Sequence, residues 1–355
     1  MNTEMNYHNA ESMEVCENAC AISSAMLCQE SKGCDSETQT DLSSKHTGTQ
    51  TETSDCSQRW KGKKLAGLLI EDERTFLDLT GVEFATFEVL LKQMIDSKKF
   101  KVSKEDRLFI FLFQMRSGLG AIAIGVFFGL NKTTAADMFL DTLQHLVKVT
   151  KDCVVWPSKD SRSTGVPEIM KDLYDNIHFM IGFPELGMDG VDNVDDATFQ
   201  LYWSQFEKSC TFKILIACNA MGIVCFKSKA VFGSVDNSEL ILKSGIIDLL
   251  DSGDNILMNV GYEEFCDVVS GSAKKLNVTT PPNLDSLECA TKTIQEQCKI
   301  MDVNTYIHDS VAKLKEYKLL NNIPKTLFSS VDDIIQMGCV LVNLQPDIHK
   351  HKPED

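Results

Sequence analysis

The chain has no uncharged apolar run approaching the roughly 20 residues that a membrane-spanning helix requires. Its best stretch, 122–130, is short and interrupted by glycine, so no membrane role is expected. A signal-peptide pattern is missing as well. The first residues are acidic and polar, which points to an intracellular protein. Cations are scarce, with 35 Lys and Arg against 51 Asp and Glu and a net charge of −16. Because nucleic-acid affinity draws heavily on cations that displace counterions from phosphate, tight DNA binding is disfavoured, although a local basic patch remains compatible with that average. The N-terminal cysteines (Cys16, Cys20, Cys28, Cys34, Cys56) lack a second tight pair and a nearby His, so a zinc site is not expected there. Cys218, Cys225 and Cys339 sit singly in apolar stretches and read as reduced, buried thiols.

Three zones follow from what is present. Residues 1–58 carry ten carboxylates against Lys32 and Lys45, are rich in Ser and Thr, and have too little apolar surface to offset chain entropy. They are expected to form a disordered acidic tail. Residues 59–157 are helical in pattern. Ser103 followed by Asp106 reads as a capping box opening a helix over 104–116. Apolar spacing then predicts helices over 119–128 and 133–147, separated by Gly129-Leu130-Asn131 with Asn131 as the second cap. Helix, glycine-containing turn, helix is a helix-turn-helix pattern over about 104–147; a helical bundle with no DNA role is the alternative. From 158 to 348 the period changes. Short apolar runs at 187–191, 212–217, 223–228 and 255–258 read as buried strands. Helices are predicted over 237–244, 263–270, 287–319 and 331–344, with a strand at 276–279. The fold class is mixed α/β preceded by an all-α region. Residues 349–355 are a short tail.

The order of these pieces resembles the Harbinger-like and THAP-associated DDE transposases, over roughly 60–348. The segments carrying the likeness are DLTGVEFATFEVLL at 78–91, KEDRLFIFLFQMRSGLGAIAIGVFFGLNKTTAADMF at 104–139 and VVWPS at 154–158. They continue with TFKILIACNAMGIVCFKSKAVFGSVDNSELILKSG at 211–245, GDNILMNVGY at 253–262 and VAKLKEYKLL at 311–320. The resemblance implies a helix-turn-helix followed by an RNase H-like nuclease domain. It implies too that Mg²⁺ or Mn²⁺ was once held by three carboxylates, since hard cations need oxygen ligands and two-metal phosphodiester cleavage needs their charge. Carried onto this chain, the three positions are Asp189, Asn259 and His308, so one acid of three survives. The alternative acids Asp254 and Asp309 do not repair the set. Asp254 sits at the opposite end of its strand, and a one-residue step on a helix turns a side chain by about 100°. The expectation is a non-cutting descendant without a cofactor, with at most weak cation binding at Asp189. The plainer reading of Asp189, Asp192, Asp195 and Asp196 is a solvated acidic strand end, and of His308 an ordinary helix residue rather than a metal ligand. A full THAP zinc finger is missing.

The DNA-reading helix has thinned in parallel. Lys132, Thr133 and Thr134 are its candidate contacts, while Asp137 and Asp141 oppose phosphate. Arg59, Lys61, Lys63 and Lys64 form a basic junction suited to phosphate or nuclear import, or to nothing beyond a solvated linker. In the tail, Thr38-Gln39-Thr40 and Thr49-Gln50-Thr51 repeat a triplet at 11-residue spacing. Such triplets resemble peptides captured by the dynein light chain, whose dimer adds an extended strand to each of two grooves. Two copies suit a dimeric receptor and would bring two chains together. The expected role is a nuclear scaffold, with a cytoplasmic location also compatible and with chromatin proteins or weakly held DNA as further partners. Its rivals are a metal-dependent DDE endonuclease or transposase and a sequence-specific DNA-binding factor that does not cut.

Overall fold

The computed structural model describes residues 72–162, 177–258, 260–280 and 312–345. Its first part is helical: α1 (Glu73–Thr80), α2 (Phe84–Gln93), α3 (Lys104–Ser117), α4 (Ala121–Phe128) and α5 (Lys132–Val149). The caps act as local chemistry dictates. The Ser103 hydroxyl accepts from the Asp106 backbone N–H at 3.1 Å, and Asn131 Oδ1 accepts from Thr134 N–H at 2.7 Å, each satisfying an orphan donor of a first turn. Gly118 and Gly129 close α3 and α4 in the left-handed conformation that favours glycine.

The strands are β1 (Phe179–Gly182), β2 (Glu185–Asp189), β3 (Trp203–Ser204), β4 (Ser209–Lys213), β5 (Ile216–Asn219), β6 (Val224–Lys227), β7 (Val231–Phe232), β8 (Asn255–Met258), β9 (Asn277–Thr279) and β10 (Ile323–Pro324). Between and after them lie α6 (Asp196–Tyr202), α7 (Asn237–Ser244), α8 (Ile246–Leu249), α9 (Tyr262–Ser270), α10 (Lys318–Asn321) and α11 (Val331–Asn343). Of two five-stranded sheets, the first runs β6-β5-β1-β8-β9, and the second runs β10-β2-β4-β3 with β7 beside β4. The first three strands of the first sheet are antiparallel, and β8 and β9 are added in parallel.

β1 and β2 form one long strand interrupted at Pro184, which has no N–H to give to a ladder. Gly182 faces Ile216, and three residues on, Glu185 faces Lys213, so the register to β5 carries unbroken into β4. The Ile214 N–H donates to the Pro184 carbonyl at 3.2 Å and bridges the gap. The first half of this strand is therefore the middle of the first sheet. Its second half lies between β4 and β10. β1 was not expected from the sequence, where the first strand was set at 187–191. The single run expected at 212–217 is divided here between β4 and β5.

Alternation along the strands sorts side chains to two cores. Phe179, Ile181, Leu215, Ala217, Ile256 and Met258 join α7, α8 and α9 on one face. Met180, Ile216, Cys218 and Leu257 join the other, where α11 packs beside α5. That second core also takes in Phe76, Phe87, Phe109 and Leu146. It therefore runs across the 157/158 boundary drawn from the sequence, and the helical region and the sheet share one interior.

Candidate active site

The end of β8 is where the second acid of a DDE site was expected, and the sheet register fixes its neighbour. Met258 stands beside Ile181 of β1. Asn259 and His308 lie outside the described residues. Asp189 ends β2, eight residues beyond Ile181, which at about 3.3 Å per residue is roughly 26 Å of extended chain. The structure therefore does not bring Asp189 to the end of β8. Instead Asp189 is exposed beside Pro324 of β10, followed by Gly190 at φ +74°. The acid of Met188-Asp189-Gly190 draws the expected first strand to 187–191, while the signal for β1 is the apolar run 179–183 ahead of Pro184.

The carboxylate on this strand nearest the end of β8 is Glu185, which the sequence reading did not single out. It is buried. Its Oε2 accepts from the Thr211 hydroxyl at 2.6 Å, and its Oε1 lies 3.6 Å from Lys213 Nζ. Lys213 in turn donates to the Val235 carbonyl at 2.9 Å. One oxygen of Glu185 thus accepts a hydrogen bond, and the other has a cation beside it. Hard divalent ions need several oxygen ligands, and Glu185 offers one carboxylate whose charge Lys213 already offsets. Among the described residues, no three His, Cys, Asp or Glu side chains are grouped as a metal would require.

The acidic run after β2 has local work. Asp195 caps α6, its carboxylate accepting from Thr198 N–H at 3.0 Å and from Thr198 Oγ1 at 2.8 Å. The backbone bond chiefly, and then the hydroxyl, hold its pKa below the ordinary carboxylate value. Asp192 and Asp196 are exposed.

Asp254, at the opposite end of β8, is buried. Both its oxygens lie 2.9 Å from Arg162 Nη1, His178 Nδ1 is 3.0 Å from Oδ1, and the Asp251 N–H donates to Oδ2 at 2.7 Å. The Arg162 guanidinium also lies over the stacked rings of Trp156 and Phe179. This is an anchor between the start of β8 and the segment after α5, at the wrong end of the strand for metal chemistry.

On the helical side, Lys132 and Thr133 are exposed at the start of α5, and Thr134 is half-buried. The two acids that count against DNA contact have cations of their own. Asp137 pairs with Lys99 at 3.4 Å and Asp141 with Arg107 at 3.6 Å. The loop 95–103 and the start of α3 carry Lys98, Lys99, Lys101 and Lys104, a basic cluster in an acidic chain that the sequence reading passed over. The basic junction Arg59, Lys61, Lys63 and Lys64 and the triplets Thr38-Gln39-Thr40 and Thr49-Gln50-Thr51 lie outside the described residues.

Cys218, Cys225 and Cys339 are buried free thiols. Burial pushes all three above the ordinary thiol value, Cys225 and Cys339 to about 12, which makes them poor nucleophiles.

Comparison with known families assigns the second half of the chain. Residues 190–343 match the family model described as DDE superfamily endonuclease. The chain thus carries a DDE superfamily endonuclease-like domain, with β1, β2 and Asp189 lying just ahead of the matched range. No curated protein and no solved structure matches.

Proposed function

We propose that this protein is a DDE-derived binding protein that no longer cuts DNA. The observation that carries this reading is Glu185. The carboxylate nearest the end of β8 is tied to Thr211 and Lys213, while Asp189 stands well away along the same strand. Three antiparallel strands followed by two parallel ones support an RNase H-like ancestry, and the order of the sequence segments supports descent from a Harbinger-like or THAP-associated transposase. The expected result with the full chain is no Mg²⁺- or Mn²⁺-dependent nicking of supercoiled plasmid. Robust nicking that is lost on Glu185→Gln or Asp189→Ala would establish an active nuclease and end this reading.

The role we assign is a nuclear scaffold that recruits the dynein light chain through its duplicated Thr-Gln-Thr triplets. The support is the 11-residue repeat of β-branched, strand-compatible residues around a central Gln. A peptide covering residues 35–55 is expected to bind the light chain dimer. Gln39→Ala with Gln50→Ala should weaken it more than either change alone, because one surviving site loses only avidity. Calorimetry that stays silent at tens of micromolar, or that ignores both substitutions, would remove the partner.

A second reading, a DNA-binding factor without cleavage, draws on the local pairing of Asp137 and Asp141. With those charges offset, the exposed Lys132 and Thr133 are less opposed by their own helix than the sequence implied.

A further inference from the structure

Helix α4 is apolar all round, yet the protein encloses it on one side only. Its sequence is AIAIGVFF, and residues 117–131 carry no charged side chain. A helix of that kind is ordinarily buried on every face. Here α4 packs against α5, Ile124 and Gly125 are buried, and the Phe128 ring meets Phe109 and Phe113 of α3 edge-on. Ile122, Val126 and Phe127 are instead 62 %, 79 % and 57 % exposed. At about 100° per residue, these three and the inward-facing three fall on opposite arcs of the helix. We propose that the exposed arc pairs with the same arc of a second copy of this chain, α4 against α4 about a two-fold axis. The proposal depends neither on the loss of cutting nor on the partner of the tail.

Charge selects the occupant. A net charge of −16 makes two copies repel, so their contact is least opposed through surface that bears no acid, and 117–131 supplies such surface. A two-fold interface must also be complementary to itself. An uncharged apolar face meets that condition, since no acid confronts its own image across the axis. The same face offers no cation to phosphate, which sets it apart from a nucleic-acid surface. At the two ends of α4, a Cβ placed on Gly120 or Gly129 would meet nothing within 4 Å, so the ends leave room for a second backbone to approach.

Area sets the strength. Taking about 150–250 Å² for each whole side chain, the three exposed fractions leave roughly 300–500 Å² per copy, the size of the largest apolar patch on many monomers. Two copies would then bury about 600–1,000 Å² in total, short of the roughly 1,200 Å² at which stable interfaces begin. The pairing is therefore weak and reversible, with Kd on the order of 10⁻⁵–10⁻⁴ M. Two copies already tethered to one dimeric receptor would meet at an effective concentration of about 10⁻³ M, enough to close the contact.

The test is sedimentation equilibrium of the full chain over about 10⁻⁶ to 10⁻³ M, a range that spans that Kd. The weight-average mass is expected to climb from 39.6 kDa toward twice that value. Val126→Glu alters the most exposed of the three residues and places a better helix former there, so the fold should be kept, as circular dichroism would check. It should weaken pairing by at least about tenfold, because two carboxylates meet across the axis. Val126→Lys should do the same, and an equal mixture of the Glu and Lys variants should pair again, as expected where each face meets its own copy. A mixture that stays monomeric, or a wild-type dimer indifferent to Val126→Glu, would overturn the proposal. A single-chain mass at every concentration would overturn it too. Radical footprinting of Phe127 would then identify the cover, a protected ring pointing to a segment of the same chain and a labelled ring to a different protein.

Discussion

Asp254→Ala is expected to destabilise the protein by about 3–5 kcal/mol, the range seen when one partner of a buried ion pair is removed. The reason is what remains. Arg162 is 6 % exposed, and without Asp254 its only carboxylate among the described contacts is Asp251, which is half in solvent at 2.9 Å. The Asp251 N–H and His178 Nδ1 would lose their acceptor as well. Asp251→Ala should cost far less, because that carboxylate is already hydrated and exposed pairs contribute about 1 kcal/mol or less. Arg162→Lys should not be conservative. The flat guanidinium reaches Asp251 and Asp254 while lying over the Trp156 and Phe179 rings, and an ammonium cannot do both. Urea denaturation of the three variants measures the differences. A loss below about 1 kcal/mol for Asp254→Ala would mean that water enters the site and the cluster is not a true anchor.

Tyr317→Ala should be comparably severe, at about 3–5 kcal/mol for deleting a large, fully buried aromatic side chain. Tyr317 has no exposed surface and packs in the shared core. Its hydroxyl donates to the Gly81 carbonyl at 3.0 Å and accepts from Gln345 Nε2 at 3.2 Å, clasping the turn after α1 to the end of the described chain. Tyr317→Phe keeps the ring and gives up the clasp. It should cost only about 1 kcal/mol, since Gln345 still reaches the Gly81 carbonyl at 3.4 Å. Burial raises the phenol's pKa above its ordinary value. The protonated form is therefore the one the fold stabilises. Its contribution is complete below the unfolded value of about 10 and fades as pH climbs from there toward the folded one. Denaturation curves for both variants at pH 7, with the wild type repeated near pH 11, check the ladder. Equal losses for Ala and Phe would show that the hydroxyl, not the ring, holds this junction.

Legibility in the sequence followed the locality of each cause. Ser103 and Asn131 cap their helices as read because a cap needs only its own next three residues. The helix Asn237–Ser244 and the strand Asn255–Met258 were delimited as they stand, both being bounded by turn residues. β1 was not legible. Its four residues carry no alternation of polar and apolar, since both faces are buried, and only β5 and β8 on either side make it a strand. With the first strand set at 187–191, Asp189 stands at its end and Glu185 falls ahead of it, outside the strand. The pairing of Asp137 with Lys99 and of Asp141 with Arg107 was hidden for the same reason, because the loop before α3 and the first turn of α3, some 35 residues upstream, supply the cations.

The position of β1 has a practical bearing on how the family likeness can be used. The matched range opens at residue 190, and the strand at the centre of the β6-β5-β1-β8-β9 sheet ends before it. A fragment trimmed to that range would leave β5 and β8 with a missing neighbour between them, each presenting a row of backbone donors and acceptors to solvent. Such raw edges recruit one another, so the fragment should pair with its own copies instead of reporting on the parent protein.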